Sequence, residues 1–226
     1  MCGRFTLMLD AEDLQEEFGL AEVPTDFRPR YNIAPSQAVL VLADSTGRRA
    51  EWMRWGLVPS WAKDVSIGYK LINARSETVM EKPSFRSAFR SRRCLIFADG
   101  FYEWQKSAGK GPSQPFHFTL AGGKLFAFAG LWETWRPPEG EEPLRSCTIL
   151  TTAANELVAP VHERMPVILN HEAAVNWLAA SDPSALMGLL KPFPAENMRA
   201  SAVSRRVNSP DADGPELVTP VRGEER

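Results

Sequence analysis

The stretch Arg93-Cys94-Leu95-Ile96-Phe97-Ala98-Asp99-Gly100 decides the fold class. Its apolar run is too short for a stable helix, its β-branched and aromatic content favours extended backbone, and Asp99-Gly100 closes it as a turn signal. Runs of the same kind recur at Ala38–Ala43, Ala50–Trp55, Phe116–Leu120, Leu125–Gly130 and Ser146–Thr152. Helical spacing is confined to a few places. Asp10 is placed to cap a short amphipathic helix with Leu14 and Phe18 on its apolar side, and Gly19 to end it. His171–Ala180 and Pro183–Leu190 have helical spacing and length. Pro24–Pro35 is loop-rich, and Lys106–Pro115 and Arg136–Pro143 read as polar loops. After Asn208 the Pro, Asp, Gly and Glu content predicts a weakly ordered tail, with Leu217–Val221 able to dock as an edge strand. Internal repeats and linkers are absent from the sequence. Many short strands with few helices predict an α+β fold. The expectation is a single domain over residues 2–221, with a mixed, mostly antiparallel barrel-like β core, a few peripheral helices, and a disordered tail at 222–226.

The totals narrow the function classes. With 226 residues, 44% hydrophobic and 24% charged, the chain has the composition of an ordinary globular protein with a sizeable core. No run approaches the roughly 18 apolar residues of a membrane span. Asp10, Glu12, Asp13, Glu16 and Glu17 follow the start too closely for a signal peptide, so a cytoplasmic, reducing location is expected. The three cysteines, Cys2, Cys94 and Cys147, fit neither a disulfide framework nor a clustered metal site. Cys94 and Cys147 lie in strand-like runs and are expected to be buried and inert. The net charge of −2 conceals an asymmetry. From Arg48 to Arg93 eleven Lys or Arg face four acids (Glu51, Asp64, Glu77 and Glu81), the pattern of either a basic groove or a solvated face. Of seven tryptophans, Trp61 in the polar loop Pro59-Ser60-Trp61-Ala62-Lys63 is the best candidate for an exposed ring. A positive groove with aromatic faces is the usual means of holding single-stranded nucleic acid.

Four residues can carry chemistry. Once Met1 is removed, Cys2 presents an α-amine and a thiol on adjacent carbons, a pair that condenses with an aldehyde to a five-membered thiazolidine. The amine titrates near about 8 and the thiol near about 8.5, so both are partly nucleophilic at neutral pH. The bland alternative is an ordinary residue at a frayed terminus. Asn73, in Leu71-Ile72-Asn73-Ala74-Arg75-Ser76-Glu77-Thr78, either caps a following helix or offers its amide to a polar intermediate. Glu103, between Tyr102 and Trp104, is either desolvated and suited to proton transfer or paired with an arginine. His162, in a loop between two apolar runs, is the natural acid/base of the three histidines. His117 and His171 look structural or exposed.

MCGRF, RYNIAP, WGLVPSW, INARSET, CLIFADGFYEW and HERMPVIL occur in that order, within a resemblance that runs from Cys2 to about Val221. Together they resemble the SRAP family, the SOS response-associated peptidase proteins that shield abasic sites in DNA. The resemblance implies a thiazolidine crosslink between Cys2 and the ring-opened aldehyde of an abasic site in single-stranded DNA. It further implies that Asn73 orients the N-terminus, that Glu103 assists proton transfers, and that His162 helps to open the deoxyribose and supports reversal and β-elimination. Arg4, Trp61, Arg75, Arg86 and Arg164 match positions or segments lining the DNA groove. No metal or organic cofactor is expected, nor a membrane partner, and a monomer is expected. Two other readings stay open: a cysteine peptidase using Cys2, His162 and Asn73 to release Met1, and a non-covalent single-strand binding module.

Overall fold

The strand expected at Arg93–Ala98 forms, and it sits within a closed barrel. The computed structural model describes residues 2–225 except 45, 47, 108, 110, 138, 139 and 141. In chain order the strands are Phe5–Leu7 (β1), Arg30–Ile33 (β2), Ala38–Leu42 (β3), Glu51–Trp55 (β4), Asn73–Arg75 (β5), Arg93–Ala98 (β6) and Gly100–Gln105 (β7). They continue as Gln114–Leu120 (β8), Phe126–Trp135 (β9), Leu144–Ala153 (β10), Arg164–Pro166 (β11), Ile168–Leu169 (β12), Met198–Val203 (β13) and Pro220–Glu225 (β14). The helices are Ala11–Phe18 (α1), Arg86–Ser91 (α2), His171–Ala179 (α3) and Pro183–Leu189 (α4).

β10, β4, β3, β6 and β9 pair in that order, and β9 pairs back to β10, which closes a five-stranded barrel. β10 pairs parallel with β4 and β5, and the other ladders of this sheet among the described residues are antiparallel. A second, six-stranded sheet runs β14-β13-β8-β7-β1-β2. The chain is thus an α+β domain with a mixed, mostly antiparallel barrel, as the strand pattern predicts. Phe5 joins the two halves of the core, lying edge-on to Trp55 at 5.2 Å and to Phe128 at 5.6 Å. Each such aromatic pair adds about 0.5–1.5 kcal/mol beyond area burial.

The corner Ala98-Asp99-Gly100 hands the chain from barrel to second sheet and also fastens β1. The Asp99 carboxylate accepts from the Thr6 hydroxyl at 2.6 Å, from the Leu9 N–H at 3.1 Å and from the Met8 N–H. The Asp99 N–H donates in turn to the Thr6 carbonyl at 3.0 Å. Burial raises the Asp99 pKa against these hydrogen bonds. Gly100 is required sterically: a Cβ there would meet the His117 ring and lie 2.8 Å from Thr6 Oγ1.

Several expectations need correcting. β9 and β10 extend beyond the apolar runs, because ten-residue β9 pairs with β6 over one half and β10 over the other, and β8 begins early at Gln114, paired with Gln105 of β7. Gly100–Gln105 is a strand and α2 is a helix, neither of which the patterning predicted. α1 follows expectation, with a capping box at Asp10 and Gly19 in the left-handed region at φ 58°. β14 runs through Glu225, where it pairs with Ser201 of β13. Arg226 lies outside the described residues.

Candidate functional site

β1 delivers Cys2 to a buried position beside β5 and β7. Asn73 opens β5, where the parallel register sets it against Ile149 of β10. From there its Nδ2 donates to the Cys2 carbonyl at 2.8 Å, so Asn73 spends its amide on the chain end and not on a helix cap. Its Oδ1 is buried with no hydrogen-bond partner among the described residues. The Cys2 thiol is fully buried and points toward the Arg4 carbonyl at 3.8 Å.

Strand alternation places Glu103. On β7, Phe101 and Glu103 share one face, and Phe101 stacks on Phe118 in the core at 5.1 Å. Glu103 is therefore drawn inward and buried, while Tyr102 and Trp104 face the other side. The Tyr102 N–H donates to the Arg4 carbonyl at 2.9 Å, which draws residues 2–4 alongside β7. Burial pushes the Glu103 carboxyl up to about 7, with the charge of the chain's amino terminus acting in the opposite sense. Burial, and then the Glu103 charge, push the Cys2 thiol well above its ordinary range.

His162 closes the loop after β10. Asn155 shapes that loop, its Oδ1 accepting from the Leu157 and Val158 N–H groups at 3.2 and 3.0 Å and its Nδ2 donating to the Phe193 carbonyl at 2.7 Å. Gln105 Nε2, at the end of β7, donates to the Pro160 carbonyl at 3.1 Å and ties the loop to the Glu103 strand. His162 Nδ1 lies 3.0 Å from the Arg164 N–H and 3.1 Å from the Arg164 carbonyl. His162 Nδ1 therefore either accepts from the Arg164 N–H or donates to the Arg164 carbonyl, according to the tautomer, and Arg164 fixes the ring either way. Burial lowers the His162 pKa, aided by the amino-terminal charge.

The expected groove residues separate into three groups. Trp61 is 58% exposed, in a loop held by the Trp135 Nε1 donating to the Ala62 carbonyl at 2.7 Å, and Arg75 is exposed on β5. Arg4 and Arg164 border the buried cluster but are engaged within the protein. Arg4 Nη1 donates to Asn32 Oδ1 and to the Val207 carbonyl, both at 2.7 Å. Arg164 forms a two-pronged pair with Glu77, at 2.5 and 2.9 Å, and donates to the Thr151 carbonyl at 2.6 Å. Arg86 stands apart on α2, beside a cavity of about 140 Å³ lined also by Met80, Phe89, Ser181 and Leu186 and by none of the other candidate residues.

Sequence reasoning missed Asn32, Glu77 and Thr151. Asn32 is fully buried and its Nδ2 donates to the Val207, Ser209 and Ala212 carbonyls, binding the C-terminal segment to Arg4. A signal existed for Glu77 alone, as an acid two residues from Arg75 inside the basic stretch. Cys94 and Cys147 are buried, with burial raising both thiol pKa values. Among the described residues no group of three or more His, Cys, Asp or Glu is placed to hold a metal ion, and no helix is long and apolar enough to cross a membrane.

The barrel with its curled sheet, closed over a buried amino-terminal cysteine, is a known domain: the family model described as SOS response associated peptidase (SRAP) matches residues 1–210, and the chain belongs to that family. Among its relatives is the abasic site processing protein YoqW of Bacillus subtilis (strain 168), 49% identical over 223 residues that cover 96% of this chain and 99% of YoqW. The abasic site processing protein HMCES of Gallus gallus is 34% identical over 264 residues, covering 98% of this chain and 78% of that protein. A crystal structure of a protein from Bacteroides thetaiotaomicron superposes with a TM-score of 0.88 at 25% identity, covering 97% of this chain and all of that one.

Proposed function

We propose that this protein processes abasic sites in single-stranded DNA by trapping the ring-opened sugar aldehyde on Cys2. The observation that carries the proposal is the seat of Cys2. Asn73 holds its carbonyl, keeping a spare buried oxygen, and Glu103 stands by with a carboxyl poised near neutrality. The names of the YoqW and HMCES relatives supply the substrate class.

Met1, which lies outside the described residues, must first be released to free the Cys2 amine. That amine adds to the aldehyde, and loss of water gives an imine. The thiol then adds across the C=N bond: sulfur bonds to carbon, the π pair goes to nitrogen, and the thiol proton follows by way of Glu103. A carboxyl near pH 7 is suited to both taking and returning that proton. Closure is intramolecular, so no second reactant is recruited. His162 supplies a proton to the deoxyribose ring oxygen and serves reversal and strand-cleaving β-elimination. Trp61, Arg75, Arg86, Arg4 and Arg164 contribute stacking and phosphate contacts. We assign a monomeric state and a DNA-associated, cytoplasmic location, and the domain is taken as residues 2–221.

Peptidase chemistry of the thiolate–imidazolium kind is less well supported, because burial and Glu103 hold the thiol protonated and the His162 Nδ1 is committed to Arg164. Peptide-bond cleavage is confined in this reading to the release of Met1. The test is intact mass of the Met1-free protein after incubation with an abasic single-stranded oligonucleotide. A detergent-stable adduct lost in Cys2→Ala is expected. Salt-sensitive binding without a covalent product would leave only a single-strand binding module.

A further inference from the structure

Arg164 and Glu77 meet fork to fork. Nη1 donates to Oε1 at 2.5 Å and Nη2 to Oε2 at 2.9 Å, while Nη2 also reaches the Thr151 carbonyl at 2.6 Å and its hydroxyl at 3.3 Å. Carboxylates and phosphates present the same two-oxygen face to a guanidinium. The pair is lopsided: the Arg164 side chain is 13% exposed and that of Glu77 52%. Arg164 is anchored from within by Thr151, whereas Glu77 projects from the single 3-10 turn Ser76–Thr78. Glu77 is thus the partner able to leave, and the guanidinium keeps its aim when it does.

The other acids of the basic stretch do different work. Glu51 pairs with Arg145, and Asp64 accepts from the Ser66 N–H at 2.6 Å as a cap. Glu81 is exposed. Glu77 alone among the four pairs with one of the proposed groove arginines.

We infer that Glu77 is an internal competitor for DNA phosphate, occupying the Arg164 fork until a phosphodiester displaces it. The inference rests on the single-stranded DNA reading above. Exchanging one anion for another gives Arg164 orienting power with little net affinity. Undamaged strands are therefore held weakly, and retention depends on the covalent step. The displaced carboxylate also takes up a cation, which cancels one of the counterions released by the DNA.

The test measures binding of an undamaged single-stranded oligonucleotide by fluorescence anisotropy across a salt series. Glu77→Gln is expected to bind about 3- to 10-fold tighter at low salt, with the slope of log K against log salt steeper by about 0.7. Glu77→Ala serves as a second variant with the same expectation. In an Arg164→Ala background the effect of Glu77→Gln should vanish, since coupled residues are non-additive. Unchanged or weaker binding by both Glu77 variants overturns the inference, as does equal tightening without Arg164, which would report net charge alone. The adduct assay on wild-type protein separates the two readings. If wild type neither binds in a salt-dependent way nor forms adduct, the proposed function fails; if it does both while Glu77→Gln shifts nothing, only the competitor role fails.

Discussion

Replacing Glu103 by Gln should make the protein more stable at high pH and less reactive at the same time. In the folded chain burial holds the Glu103 carboxyl up to about 7, against an ordinary value of 4.5. Between those values the folded state binds more protons than the unfolded one. Stability contributed by this group is therefore fully present below pH 4.5, falls as pH rises toward 7, and is level above. At 1.36 kcal/mol per pH unit the gap amounts to about 3 kcal/mol. Glutamine cannot ionise, so the penalty disappears. The difference in unfolding free energy between variant and wild type should move by about 3 kcal/mol in the variant's favour from pH 4 to pH 8. Any hydrogen bond lost to the amide is largely common to all pH values and drops out of that comparison. The same variant cannot relay a proton, and adduct formation should slow by about 10²- to 10⁴-fold. Urea unfolding at four pH values, with adduct yield followed on denaturing gels, measures both. A stability difference that stays flat with pH, or wild-type adduct rates in the variant, refutes the reasoning.

Two further outcomes follow from particular contacts. Gly100→Ala drives a methyl group against the His117 ring and Thr6 Oγ1, and should cost about 1–3 kcal/mol by overpacking; an unchanged thermal midpoint would show that the corner yields. His162→Ala should retain DNA binding while slowing adduct formation or its reversal. Because burial lowers the His162 pKa, the step that needs its proton should quicken as pH falls. Wild-type rates in both directions would remove His162 from the chemistry.

The strands were legible wherever an apolar run met a turn residue, as at Arg93–Ala98. A barrel-like core was expected from them, but the register that closes it was not legible, because it depends on β9 and β10 pairing with each other as well as with β6 and β4. Helix α2 was missed for a local reason: it is six residues long and Phe85 at its start makes no side-chain capping bond. Asn73 shows how an ambiguous residue is resolved. Its sequence neighbours suited a cap, and only the arrival of Cys2 from 71 positions away settled what the amide does. Glu103 is desolvated, as one of its two readings held, but through the face it shares with Phe101 and not through Tyr102 and Trp104, which lie on the other face of β7. The internal commitments of Arg4 and Arg164 left no local trace, since Asn32, Val207, Glu77 and Thr151 all lie far from them in the chain.

The tie between Arg4 and the segment around Val207 spans 203 positions. During synthesis the Val207 carbonyl follows Arg4 by 203 positions. Any nascent fragment that stops short of residue 207 therefore lacks one of the two acceptors that fasten the chain beside Cys2.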